Sequence, residues 1–355
     1  MKKVLAFALA LSMLLAALPA FAAEEVNVFN WEDYICEDAI NLFEAETGIK
    51  VNYMRFTTNE DMLVQVENDP KSYDVIFPSD YIIERLIAED LLEKLDYSQL
   101  PNATENTLDW LKTADYDPTG EYSVPYMWGT VGILYNKTMV SAPITSWTAM
   151  WDEQYYDNVF MMDSIRDTLG VTLKMLGYSM NTRDKDALNQ AKEKLIEQKK
   201  AGIVKAYQVD ETKDKMIAGE AAMGLMWSGD AAYAMSYSDD LAYVVPEEGS
   251  NVWVDGLCVP KGAKNYDNAM KFINFLCRPD VALMNFEEIY YCTPNKGAIE
   301  MIRAEQPELL EDETLFPTDE TVARCEFFHD ISKDIQTYKR IWLAVKSARE
   351  GTSFS

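Results

Sequence analysis

The sequence predicts an α/β protein of two doubly wound lobes built on parallel sheets. Three observations predict it. Short β-branched and aromatic runs alternate with amphipathic stretches from Val26 to Leu92. The same alternation resumes at Val159. No internal repeat or low-complexity linker separates the two blocks, which suggests lobes joined by several crossing strands.

The elements follow in order. Val26 to Trp31 alternates and reads as a strand. Glu37 to Thr47 reads as a helix stopped by Gly48, a residue suited to a left-handed C-cap. Val51 to Met54 is a second strand, and Thr57-Thr58-Asn59 offers a cap for a helix through Met62 to Val66. Tyr73 to Phe77 is a short apolar strand ended by Pro78-Ser79, and Ile82 to Leu92 is amphipathic. In the second block, Val159 to Met162 is a strand, Arg166 to Leu176 and Asp186 to Gln198 are helices, and Ala222 to Trp227 and Leu241 to Val245 are strands. Val252 to Val259 is a strand with Trp253 and Asp255 on one face. Asn268 to Leu276, Val281 to Glu288 and Ile335 to Ala348 have helical periodicity. Sheets of this kind bind ligands beyond the carboxyl ends of their strands.

The start of the chain points to export. Lys2 and Lys3, the apolar run Val4 to Leu18 and the small residues of Ala20-Phe21-Ala22 have the form of a secretory signal peptide cleaved after Ala22. No Cys follows the run to accept a lipid anchor, and no later stretch reaches the ~18 apolar residues of a membrane span. Without Lys2 and Lys3, 30 basic residues face 59 acidic ones. That balance argues against nucleic acid and anionic membrane as partners and is compatible with a cationic ligand. Cys36, Cys258, Cys277, Cys292 and Cys325 form no CxxC pair and read as small buried hydrophobes.

Catalytic signatures are missing. There is no GxSxG, HExxH, Gly-rich phosphate loop or complete calcium loop. The single His, His329, reads as a packed or helix-entry residue, and the oxygen-rich Asp115 to Gly120 reads as a turn. The expectation is a monomeric binding protein with no cofactor and no metal.

What remains is a series of aromatic–acid pairs at strand ends: Trp31-Glu32-Asp33-Tyr34, Ser79-Asp80-Tyr81, Trp227-Ser228-Gly229-Asp230 and Trp253-Val254-Asp255, with Tyr291 after a helix. An ammonium over an aromatic face gains ~0.5–2 kcal/mol, and a carboxylate adds a charge-assisted hydrogen bond. Ring faces suit the methylenes between two ammoniums. A slot of rings capped by acids therefore fits a linear polyamine. A sugar also stacks on Trp and bonds to acids, so a sugar or another organic cation remains an alternative. A glycosidase using two carboxylates fits less well, because the acids are spread over many motifs.

The ordered motifs Asn30-Trp31-x-Asp33-Tyr34, Tyr73-Asp74-Val75-Ile76-x-Pro78-Ser79-x-Tyr81, Val124-Pro125-Tyr126-x-Trp128-Gly129, Trp227-x-Gly229, Trp253-x-Asp255 and Tyr291-x-Thr293-Pro294-Asn295 resemble the periplasmic spermidine/putrescine-binding proteins of ABC transporters. The resemblance implies a type II periplasmic-binding fold of two lobes joined by a hinge. It divides the chain into 23–130 plus 253–305 and 131–252 plus 306–355, crossing near Tyr126 to Asn136 and Val245 to Asp255. It also implies delivery of a polyamine to a membrane permease. The site it implies comprises Trp31, Asp33, Tyr34, Ser79, Tyr81, Asp163, Asp167, Trp227, Trp253, Asp255 and Tyr291. Two departures stand out. Glu32 occupies a position that is often Ser or Thr. Ser164 aligns with the first acid of an Asp-x-x-acid pair, and Ser164-x-x-Asp167 also has the form of a helix capping box. Asp210 is a further candidate for the cleft.

Overall fold

A computed structural model describes residues 24–349 of the chain; the segment expected to be a signal peptide lies outside the described residues. The first block folds as β1 (Glu25–Trp31), α1 (Glu37–Thr47), β2 (Lys50–Phe56), α2 (Asn59–Asn68), β3 (Val75–Ile76) and α3 (Asp80–Ala88). Two local signals act as expected. Gly48 ends α1 in the left-handed region at φ 72°, and Thr58 caps α2 by accepting the Asp61 amide. β3 is shorter than the apolar run, because the Asp74 carboxylate takes the Asn27 and Asn265 amides.

The long strand β4 (Ser123–Asn136) comes next. The second block is β5 (Val159–Met162), α4 (Ile165–Met175), α5 (Lys185–Lys200), β6 (Val204–Gln208), α6 (Glu211–Ile217), β7 (Met223–Trp227), α7 (Ser228–Tyr237) and β8 (Leu241–Val244). The chain returns through β9 (Val252–Cys258) and continues as α8 (Tyr266–Leu276), α9 (Pro279–Ile289), α10 (Lys296–Glu305) and α11 (Ile335–Ser347).

The strands run in the order β2-β1-β3-β9-β4-β7-β5-β6, with β8 also on β4. The β1, β2 and β3 pairings are parallel, as are those of β5 with β6 and β7. The parallel pairing expected within each block is present, and the crossing strands add antiparallel pairs: β9 is antiparallel to both β3 and β4, and β4 is antiparallel to β7 and β8. The cause is the connectivity. β4 leaves the first half of the molecule and β9 comes back to it, so the two must run in opposite directions. β4 pairs with β9 over Ser123 to Thr130 and with β7 over Val131 to Tyr135. One strand thus belongs to both halves, each with its own buried core: one around Phe43, Phe77 and Phe272, the other around Trp147, Leu169 and Leu195.

Candidate functional site

The carboxyl ends of β1, β3, β5 and β7 point at one region between the halves. On the first half, Trp31 ends β1, and its indole Nε1 donates to the Phe77 carbonyl at 2.9 Å. The backbone then turns through Asp33, an exposed residue at φ 48°. Tyr34 follows and is buried, its carbonyl accepting from Asn30 and from the Tyr126 hydroxyl at 3.0 Å each. At the end of β3 the Ser79 hydroxyl donates to Asp255 Oδ1 at 2.6 Å and accepts from Asn59 Nδ2 at 2.9 Å. Asn59 also reaches the Tyr81 hydroxyl at 3.1 Å.

Asp255 is the centre of this half. It is 6% exposed, and burial pushes its pKa up to about 6, against the Ser79 hydrogen bond and the neighbouring Tyr34 hydroxyl, which pull it down. Asp80, fully buried beside it, accepts the Tyr81 and Val254 amides and is raised by burial to about 8.

Tyr291 joins the halves. Its ring lies 4.9 Å from Trp253 edge-on and 6.0 Å from Tyr34, and its hydroxyl donates to Asp230 Oδ2 at 3.4 Å. Asp230 sits in the first turn of α7, immediately after Trp227; burial raises its pKa against the opposing Lys213. Two motif glycines make the close packing possible. A Cβ on Gly229 would collide with the Tyr291 ring, and one on Gly129 would stand 2.6 Å from Trp253.

Asp167 lies in the first turn of α4 and is buried, which raises its pKa; hydrogen bonds from Ser164 and Trp227 partly offset that. The capping box is half made. Ser164 accepts the Asp167 amide at 3.4 Å, but the Asp167 carboxylate takes the Ser164 hydroxyl and stays beside Trp227.

The structure therefore gathers Tyr34, Ser79, Trp253, Asp255 and Tyr291 into one cluster and sets Asp167 against Trp227. Tyr81 packs nearby, hydrogen-bonded to Asn59. Asp163, which follows directly on β5, pairs its carboxylate with Lys346 of α11 at 2.8 Å. Asp33 and Glu32 are exposed at the rim. Asp210 acts on Asp230 and Tyr291 through its charge. Asp230 and Asp80 stand in aromatic–acid pairs that the sequence singles out, yet the resemblance carries neither into the site. Among the described residues no group of three or more His, Cys, Asp or Glu could hold a metal ion.

Residues 38–318 match the family described as bacterial extracellular solute-binding protein. The chain belongs to this family. This solute-binding protein is 33% identical over 354 residues to the spermidine/putrescine-binding periplasmic protein of Escherichia coli, covering 98% of this chain and all of that one. It is 31% identical to spermidine/putrescine-binding periplasmic protein 1 of Haemophilus influenzae, over 94% of this chain and 92% of that one. Its fold superimposes on the spermidine/putrescine ABC transporter substrate-binding protein PotD of Streptococcus pneumoniae with a TM-score of 0.83 and 36% identity, covering 92% of this chain and 100% of the other. The architecture is the two-lobed α/β fold of periplasmic binding proteins.

Proposed function

We propose that this solute-binding protein captures a linear polyamine, spermidine or putrescine, between its lobes and hands it to the membrane permease of an ABC transporter, without catalysing a reaction. The observation that carries the reading is the chain of contacts from Asp255 through Tyr34 and Tyr291 to Asp230. It sets the buried Asp255 carboxylate and the partly exposed Asp230 carboxylate at opposite ends of a run of aromatic rings. Each acid takes an ammonium. The faces of Tyr34, Trp253 and Tyr291, flanked by Trp31, Tyr81 and Trp227, take the methylenes. Asp167 beside Trp227 offers a further carboxylate for a third amine. The names borne by its relatives support the same class of solute.

Capture follows a population shift. The solute binds one lobe of an open form, and bending of the crossing strands brings the other lobe's rings and acids onto it. We place the lobes at 23–130 plus 253–305 and 131–252 plus 306–355, with a leader ending at Ala22 and a periplasmic monomer as the working form. The test is a calorimetric or tryptophan-fluorescence titration with putrescine, spermidine, spermine, an amino acid and maltose. Saturable binding of at least one amine, with no response to maltose, is the expected result. Silence toward every amine would remove the polyamine reading.

A further inference from the structure

We propose that Arg166, acting through the segment that carries His329, positions a second contact across the cleft, one that holds the lobes together independently of the solute. Arg166 lies in the first turn of α4 and is only 8% exposed. Its guanidinium stands 4.2 Å from the Phe328 ring centroid and 5.5 Å from that of Tyr81 on α3. Nη1 donates to the His329 carbonyl at 3.0 Å, and Nη2 to Asn181 Oδ1 at 3.2 Å. Asn181 in turn takes the His329 amide at 2.8 Å and donates to the Phe327 carbonyl at 2.7 Å. The backbone of Phe327 to His329 is thereby tied to the half built on β5, while the Phe327 ring lies against Trp110 and Tyr116 of the first half.

That fixed segment reaches the other half. His329 Nδ1 lies 3.2 Å from Glu84 Oε2 on α3, and the Asp330 amide donates to the same oxygen at 2.8 Å. Both acceptor and ring partner, Glu84 and Tyr81, belong to the helix that follows β3. Helix α3 packs on β9, whereas α4 packs on β5. The contact uses none of the side chains of the Asp255–Tyr291–Asp230 run and meets the slot only at Tyr81, which flanks it. It rests on the family's two-lobed fold and not on the identity of the solute.

The latch has an ionic part and a neutral part. The hydrogen bond to Glu84 raises the His329 pKa, and the charges of Asp115 and Asp80 act in the same direction, against partial burial. Arg166 on its carbonyl and Arg183, which donates to the Asp330 carbonyl at 3.0 Å, complete the charged groups around it. Because the folded pKa is raised, the ionic part is fully present below the ordinary His range and is lost as pH rises through the raised value. The amide bond from Asp330 and the Arg166 stacking persist at all pH. His329 and Glu84 are 39% and 37% exposed, so solvent screens the pair and its effect is a few-fold rather than hundred-fold.

The experiment uses the full mature chain with a fluorophore on each lobe, and putrescine and spermidine as probes. Wild type, Glu84→Gln, His329→Gln, Arg166→Lys and Arg166→Met are compared by interlobe energy transfer without solute and by stopped-flow release. Expected are a longer mean interlobe distance in the solute-free Glu84→Gln, His329→Gln and Arg166→Met proteins, with release about two- to five-fold faster. Association rates stay unchanged, and Arg166→Lys recovers part of the loss. The His329→Gln difference shrinks as pH rises through the His titration. Distances unchanged from wild type, or a His329→Gln effect that ignores pH, overturn the latch. The solute-free distance is read even if no amine binds, so failure of the polyamine reading and failure of the latch are told apart. Arg166→Met keeps the apolar stem; should it not fold, variants of the two half-exposed partners Glu84 and His329 still decide between the outcomes.

Discussion

Asp255→Asn should weaken binding and strengthen the empty protein at the same time. In the empty protein a carboxyl that ionises at about 6 rather than at the ordinary 3.8 costs the folded state about 3 kcal/mol at neutral pH. The folded pKa is raised, so this cost is absent below the unfolded carboxyl's range, grows as pH rises from 3.8 to about 6 and is constant above. Asparagine keeps an oxygen to accept the Ser79 hydroxyl and carries no charge. We therefore expect the unliganded variant to be more stable by about 1–3 kcal/mol at pH 7.5 and equal to wild type near pH 4. With an ammonium seated, the balance reverses. A hydrogen bond to a charged group contributes about 1.5–3 kcal/mol, so putrescine or spermidine affinity should fall roughly ten- to hundred-fold. Scanning calorimetry of the empty protein at both pH values and isothermal titration at pH 7.5 supply the two numbers. A variant that is less stable at pH 7.5 and binds amines as wild type does would refute the assignment of Asp255 as the buried anchor.

Three further outcomes follow from the same geometry. Amine affinity should fall as pH drops through about 6, since the ammonium needs the ionised Asp255, and binding there should release a proton; titrations in buffers of different ionisation enthalpy measure it. Gly229→Ala drives a Cβ into the Tyr291 ring, so the ring must shift; affinity should drop about ten-fold with a stability loss of ~1–3 kcal/mol, read by titration and thermal melts. Asp163→Asn should leave amine affinity within about two-fold of wild type, because that carboxylate is paired with Lys346 on a partly exposed surface; a large loss by titration would return it to the site.

Much of the architecture is legible in the sequence because its signals are local. The Thr58 cap, the Gly48 stop and the alternation of Val26 to Trp31 each act within a few residues, and the elements they mark lie where expected. The parallel pairing of β1, β2 and β3 is legible from the β-α-β order, but the direction of β9 is not. That β9 returns antiparallel between β3 and β4 depends on partners far apart in the chain, and the Val252 to Val259 run reads the same either way. The aromatic members of the cluster are visible because Trp and Tyr after a strand stand out against turn residues. The acids are harder. Asp163 and Asp167 lie one helical turn apart and look alike in sequence, yet the turn between β5 and α4 sends one to Lys346 and the other to Trp227. Asp230 stands in a Trp–acid pair, but an acid in the first turn of a helix usually serves the helix dipole, so its role is not legible. Only the fold shows Tyr291, from another part of the chain, reaching it.

The shared strand has a consequence for how the molecule is assembled. β3 and the leading part of β4 are complete early in the chain, but the strand that fills the gap between them is β9, made only after all of β5 to β8. Until then, two edges that end up in the middle of a sheet stand open, each able to pair with a stray chain. Closure of the half begun first therefore waits on contacts of long sequence separation, which form slowly. A chain cut before Val252 keeps the second half's strands and leaves the first with a slot in its sheet. Such fragments should aggregate.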